Sequence, residues 1–210
     1  SVLLTVSPPG VNYLWSKSPT PPLTPPANAN DSLYAKTSGT YSVIVQTASG
    51  CAYPAIPPVT VVVNPIPPAL ITGDTVLCEG ETLTLKSTPD GGSTYAWSGP
   101  IATGVTNPFV LPGITLADAG QYIVVVTNTF GCTATDTVNV IVNPTPTAPF
   151  IISNPGGVLC ESVLFNFSIV GPLGPPIVYN WSTGQMGTSI NAAIPGDYSV
   201  TATNQYGCSA

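Results

Sequence analysis

The chain has 210 residues, 9 acidic and 3 basic side chains, no histidine and a net charge of −6. Its lysines, Lys17, Lys36 and Lys86, are dispersed, so it lacks the clustered cations that nucleic-acid phosphates or an anionic membrane surface require. No apolar run approaches the roughly 18 residues of a membrane span, and five cysteines without a His or a Cys-x-x-Cys pair favour disulfides in an oxidising compartment over a zinc site.

The 25 prolines could suggest disorder, but β-branched and aromatic residues are abundant enough to build cores. In chain order, Ser1-Val2-Leu3-Leu4-Thr5-Val6 reads as a strand and aligns with Glu81-Thr82-Leu83-Thr84-Leu85-Lys86. Tyr13-Leu14-Trp15-Ser16 follows, then a Pro-rich insertion over residues 19–26. Next come Gly39-Thr40-Tyr41-Ser42-Val43, a turn at Gly50-Cys51, and a final strand Val59-Thr60-Val61-Val62-Val63 stopped by Asn64-Pro65. Proline removes a ladder donor and belongs at a strand end.

The same order then recurs. Leu77-Cys78-Glu79-Gly80 precedes the strand around Leu83-Thr84-Leu85, and Asp90-Gly91-Gly92 marks a turn before Tyr95-Ala96-Trp97-Ser98. Gly120-Gln121-Tyr122-Ile123-Val124, Gly131-Cys132 and Val138-Asn139-Val140-Ile141-Val142-Asn143-Pro144 complete this second pass. A third contains Leu159-Cys160-Glu161, Tyr179-Asn180-Trp181-Ser182, Gly196-Asp197-Tyr198-Ser199-Val200 and Gly207-Cys208. The tryptophans recur every 82 to 84 residues, a period suited to a small sandwich and longer than that of helical solenoids.

Period-two alternation and frequent turn signals, with no sustained helical spacing, predict an all-β chain of tandem immunoglobulin-like Greek-key β-sandwich repeats. The expected divisions are 1–64, a repeat lacking its first strand; 65–143, a complete repeat; and 144–210, a repeat lacking its last strand. Both ends falling out of phase suggests a segment of a longer array, with any export signal or anchor elsewhere. The Pro-rich junctions at residues 64–68 and 143–149 read as stiff spacers.

Leu116-Ala117-Asp118-Ala119-Gly120-Gln121-Tyr122 resembles the tyrosine corner of immunoglobulin domains, in which the Tyr hydroxyl bonds backbone upstream. Tyr41, Tyr122 and Tyr198 are therefore assigned to the core. In immunoglobulins a Cys lies two residues past that Tyr; here Val43, Val124 and Val200 take the place, so the usual inter-sheet disulfide is absent. Trp15, Trp97 and Trp181 are expected in the core against aliphatic side chains, a carbohydrate platform being the alternative.

Counting pairs Cys78 with Cys132 and Cys160 with Cys208, leaving Cys51 to a partner elsewhere. Those intra-repeat pairs would span opposite ends of a sandwich, about 20 Å for a six-residue strand against a Cα limit near 7 Å. Head-to-tail repeats would instead let Cys78 meet Cys208, and both connectivities stay open.

No nucleophile with its base, paired carboxylates, metal cluster or phosphate loop stands out, and without His a Ser-His-Asp triad is impossible within this chain. Glu79 and Glu81 are too few to hold calcium. The sequence therefore points to no enzyme, no cofactor and no metal.

The string from Leu77-Cys78-Glu79-Gly80 through Tyr95-x-Trp97-Ser98-Gly99, Gly120-x-Tyr122-x-Val124 and Asn128-x-x-Gly131-Cys132 to Val142-Asn143-Pro144 resembles the Ig-like or PKD-like repeats of very large secreted Bacteroidota surface proteins, including gliding-motility adhesins and type IX secretion cargo. The resemblance implies an extracellular, cell-surface or secreted location and a scaffold or adhesive role. It also implies O-glycosylation at Ser32, Thr75 and Thr137, each preceded by Asp and followed by an aliphatic residue.

The expected function is an adhesin stalk or filament-forming scaffold, its partners neighbouring repeats of the same polypeptide or other copies in a filament. The alternatives are a ligand- or glycan-binding module using loops 100–106 or 171–176, and accessory repeats of a secreted hydrolase.

Overall fold

The computed structural model describes residues 2–6, 12–18, 31–53, 57–154, 164–171 and 176–210. Cys160 and the 19–26 insertion lie outside them, as does most of loop 171–176. The chain divides into two compact units, Ser1–Ile66 and Pro67–Ala210.

In the first unit β1 (Val2–Thr5) pairs with β3 (Ser32–Ala35), while β4 (Gly39–Gln46) lies between β2 (Asn12–Ser18) and β5 (Val59–Val61). Alternation in β4 sends Tyr41, Val43 and Val45 inward, and the antiparallel register sets Trp15 opposite Val43 and Tyr13 opposite Val45. These residues form the buried core of the unit, with Val61 and Ala35 beside Tyr41. β5 stops at Val61, before the predicted end, because the backbone N–H of Val63 is taken by Ser38 Oγ at 2.8 Å instead of a neighbouring strand.

The second unit begins with a complete sandwich. Its strands are β6 (Ile71–Thr72), β7 (Val76–Cys78), β8 (Leu83–Ser87), β9 (Ser93–Ser98), β10 (Thr103–Gly104), β11 (Phe109–Leu111), β12 (Gly120–Asn128) and β13 (Thr133–Asn143), with one 3-10 turn at Leu116–Asp118. One sheet runs β10-β9-β12-β13-β7 and the other β11-β8-β6. All pairings are antiparallel except β7 with β13. That order is immunoglobulin-like: the first strand starts on one sheet as β6 and crosses to the other as β7. Gly73 makes the crossing, with φ 140° and so little room that a Cβ would lie 2.3 Å from the Thr84 carbonyl oxygen.

Leu83, Leu85, Ile114, Tyr122, Val124 and Val126 are fully buried between these sheets, each aliphatic or aromatic side chain contributing about 1.5–3 kcal/mol. Trp97 is 2% exposed and sits opposite Val124 on the adjacent strand. Its ring stacks on Phe109 at 5.8 Å, and Phe109 meets Tyr122 at 5.9 Å. The indole therefore packs among aliphatic side chains, with Phe109 as an added aromatic neighbour.

The C-terminal strands form two further sheets. β14 (Phe150–Asn154), β15 (Phe165–Val170) and β17 (Ser189–Ala192) make one, and β16 (Val178–Trp181) with β18 (Val200–Thr203) the other. Tyr179, Trp181, Ile190, Ala192 and Ala202 are buried. Tyr198 is only half-buried, a correction to its core assignment: it lies outside a strand and covers Phe167, with ring centres 4.8 Å apart.

Candidate functional site

The residues with the most specific geometry lie where the complete sandwich hands over to the C-terminal sheets. Parallel pairing sets Cys78, the last residue of β7, opposite Asn143, the last residue of β13. β13 therefore delivers the chain to the junction beside Cys78. There Cys78 is bonded to Cys208, with Cα atoms 5.6 Å apart. The counting pair Cys78–Cys132 is not formed, because Cys132 precedes β13 and lies eleven residues before Asn143. At about 3.4 Å per residue that is roughly 37 Å of strand. Cys160 lies outside the described residues, and Cys51, in the other unit, is an exposed free thiol.

Hydrogen bonds organise each side of the joint in addition to the sulfur bridge. On the sandwich side Glu81 Oε2 accepts the Cys78 N–H at 2.7 Å, and Cys78 C=O accepts the Glu81 N–H. Glu81 thus has a structural bond at the joint. The Glu79 N–H donates to the Asn143 carbonyl at 2.9 Å, and Thr145 Oγ1 donates to the Glu79 carbonyl at 2.8 Å, tying the junction to the turn before β8.

On the opposite side, Asn204 closes the turn that carries Cys208. Its Oδ1 accepts the N–H groups of Tyr206 and Cys208, Gly207 takes φ 84°, and the Asn204 N–H donates to the Cys208 carbonyl. The Asn204 Nδ2 then reaches across and donates to the Pro144 carbonyl at 2.7 Å. One side chain shapes the cysteine turn and docks it. The signal for it was the Asn three residues before Gly-Cys, a spacing repeated at Asn128, whose Oδ1 accepts from Phe130 and Cys132 in the same way. Thr47 stands in that place in the first unit, its Oγ1 accepting the Cys51 N–H at 3.1 Å.

The tyrosine corners are built as the motif implied. Tyr41 Oη donates to Thr37 C=O at 2.7 Å, Tyr122 Oη to Asp118 C=O at 3.0 Å and Tyr198 Oη to Ile194 C=O at 2.6 Å, each four residues upstream. Burial, reinforced by the Asp118 charge, pushes the Tyr122 phenol above its ordinary pKa. The Asp118 carboxylate accepts both the backbone N–H and the hydroxyl of Thr115 and fixes the turn before β12. All three tryptophans are buried, and Trp181 Nε1 donates to the Gly187 carbonyl at 2.9 Å. None presents a ring face for carbohydrate stacking.

Of the three Asp-Ser/Thr-aliphatic segments, Thr137 is exposed while Ser32 and Thr75 are half-buried. Asp136 also has a structural task, its Oδ2 accepting the Ile71 N–H at 2.7 Å and anchoring β6. A groove of about 430 Å³ beside β15 and β17 is lined by Asn166, Gln185, Met186, Ser189, Ile190 and Asn191, none of them in the loops proposed for ligand contact. Among the described residues no group of three His, Cys, Asp or Glu could hold a metal, and no helix is long and apolar enough to cross a membrane.

No known family matches the sequence, and no curated protein does. Among solved structures, murine CEACAM1b is 13% identical with a TM-score of 0.33, the match covering 65% of this chain and 93% of that one. The amphioxus IgVJ-C2 molecule is 17% identical, covering 67% and 95%, with a TM-score of 0.33. Three N-terminal domains of the outer capsid protein Hoc of bacteriophage RB49 are 16% identical, covering 98% and 78%, at 0.34. The immunoglobulin-like assignment rests on the strand order and register given above.

Proposed function

We propose that this chain is a structural repeat segment of a large secreted cell-surface protein, of the Bacteroidota gliding-adhesin or type IX cargo kind, serving as an adhesin stalk or filament scaffold. The observation that carries the reading is the Cys78–Cys208 bond, which joins one sandwich to the sheets that follow it. A protein whose task was confined to one domain would need only intradomain staples, whereas a bond across a junction restrains two modules against each other. The disulfide also suits an oxidising, extracytoplasmic compartment. The tandem organisation follows from the threefold Tyr-x-Trp-Ser, tyrosine-corner and Gly-Cys pattern. On this reading the segment has no catalysis of its own and its partners are neighbouring repeats. Exposed Thr137 is the best placed of the three glycosylation candidates.

The test is deletion of residues 67–210 from the parent surface protein on its native cells. A stalk loses reach: surface projections seen by immuno-electron microscopy shorten while purified tip still binds its ligand. Unchanged projection length with lost ligand binding would overturn the stalk reading in favour of a binding module.

A further inference from the structure

We propose that the Cys78–Cys208 bond has a mechanical function: it carries tensile load across the second unit along a covalent path that by-passes the hydrophobic cores. Load entering at Pro67 runs through β6 and β7 to Cys78, crosses the sulfur bridge, and leaves through Ser209 and Ala210. Everything between the two cysteines lies in a closed loop. That loop holds β8 to β18, including Trp97, Tyr122, Val124 and Trp181. Pulling on the ends cannot lengthen a segment whose two ends are bonded to each other.

The fold makes this path short. Because β7 runs parallel to β13, Cys78 emerges at the end of the sandwich where the junction begins, and the Asn204 turn brings Cys208 to the same place. Within the unit the load falls on Ser209 and Ala210, which bond Ala202 and bridge Thr203, and on the entering segment. The entering segment is held by the two-residue β6–β8 pairing, the β7–β13 pairing and the Asp136 bond to the Ile71 N–H. Peeling it away releases about a dozen residues, roughly 40 Å. Without the sulfur bridge, load would pass through the β7–β13 pairing to the junction and on into the C-terminal sheets, whose non-covalent bonds open and close thermally.

The by-pass follows from connectivity alone. It rests on the scaffold reading only for the origin of the load, so the test reads a length and leaves the location and partners of the protein to the deletion experiment.

The whole chain is held by handles at its two ends in an optical trap and stretched in oxidising buffer, then with dithiothreitol. The reductant gives two electrons to the bridge, becomes a cyclic disulfide and leaves two thiols. The cysteines are 130 residues apart, so reduction is expected to add about 450 Å of unfolding length at roughly 3.5 Å per residue. Unfolding of Ser1–Ile66, about 230 Å by the same measure, is expected in both buffers and serves as the internal control. Release of the 450 Å under oxidising conditions overturns the proposal, as does its absence after reduction. The Cys78→Ser/Cys208→Ser variant is expected to behave as the reduced chain. Should it fail to fold, adding reductant to the wild-type protein already held under load gives the same length in place, and no added length there sinks the idea.

Discussion

Replacing Tyr122 by Phe removes one oxygen and nothing else from a fully buried ring that touches Phe109. The lost bond runs to the Asp118 carbonyl at 3.0 Å, in the turn that Thr115 and Asp118 hold together. A neutral hydrogen bond is worth about 1 kcal/mol net, and a buried carbonyl left without its donor raises the cost toward about 2. One to two kcal/mol changes an opening equilibrium by about 5- to 30-fold. Amide hydrogen exchange in β12 and β13, followed by mass spectrometry, should therefore accelerate by that factor in Tyr122→Phe while peptides of the first unit stay unchanged. Alkaline pH gives a second readout. Since burial and Asp118 raise the Tyr122 pKa in the folded state, the native phenol keeps a proton that the unfolded chain releases. That contribution is fully present below the unfolded value of about 10 and is lost as pH rises through the folded one. The wild type should thus lose stability more steeply above pH 10 than Tyr122→Phe, the lysines being common to both. Parallel alkaline limbs, or exchange in β12 unchanged by the substitution, would refute the reasoning.

Gly73→Ala should destabilise the complete sandwich by more than about 2 kcal/mol in urea titration, since its Cβ meets the Thr84 carbonyl and its φ is positive; a change below 0.5 kcal/mol would contradict the crossing geometry. Asp136→Ala leaves the Ile71 N–H without its charged acceptor and should cost about 1.5–3 kcal/mol, with exchange accelerated first around β6. Non-reducing digestion should yield a Cys78–Cys208 cross-linked peptide and no Cys78–Cys132 peptide, by mass spectrometry. Asn204→Ala should loosen the cysteine turn and its grip on Pro144 together, raising the reduction rate of Cys78–Cys208 by dithiothreitol several-fold, whereas Asn166→Ala, whose amide donates to Asn191, should leave it unchanged.

The sandwich core was legible because its signals are local. Alternation places Leu83, Leu85, Tyr122, Val124 and Val126 on one face each of their strands, and the tyrosine corner is contained within a few residues. Phe109 is not legible in the same way, because its stacking on Trp97 joins two sheets and leaves no periodic mark in the sequence. Gly73 carries no local signal for a related reason: its positive φ matters only because β8 passes 2.3 Å from where a Cβ would sit. Tyr198 matched the motif yet ended half-buried, since its hydroxyl bond needs only the residue four positions back, while its burial depends on Phe167 from a distant strand.

The cysteines depend most on what a sequence does not carry. Counting pairs each pre-strand Cys with the next Gly-Cys turn, a rule that ignores which end of the sandwich each occupies. The parallel pairing of β7 with β13 decides the matter, because it turns Cys78 away from Cys132 and toward the exit of its own sandwich. Once Cys78 lies beside Asn143, the next polypeptide to arrive is the junction, and the turn that Asn204 docks on Pro144 brings Cys208 within bonding distance. The direction of one three-residue strand thus converts what would have been a staple inside a domain into a bond between neighbours. Reversing that direction, were it possible without loss of the core, would return Cys78 to the Cys132 end and leave the junction held by hydrogen bonds alone.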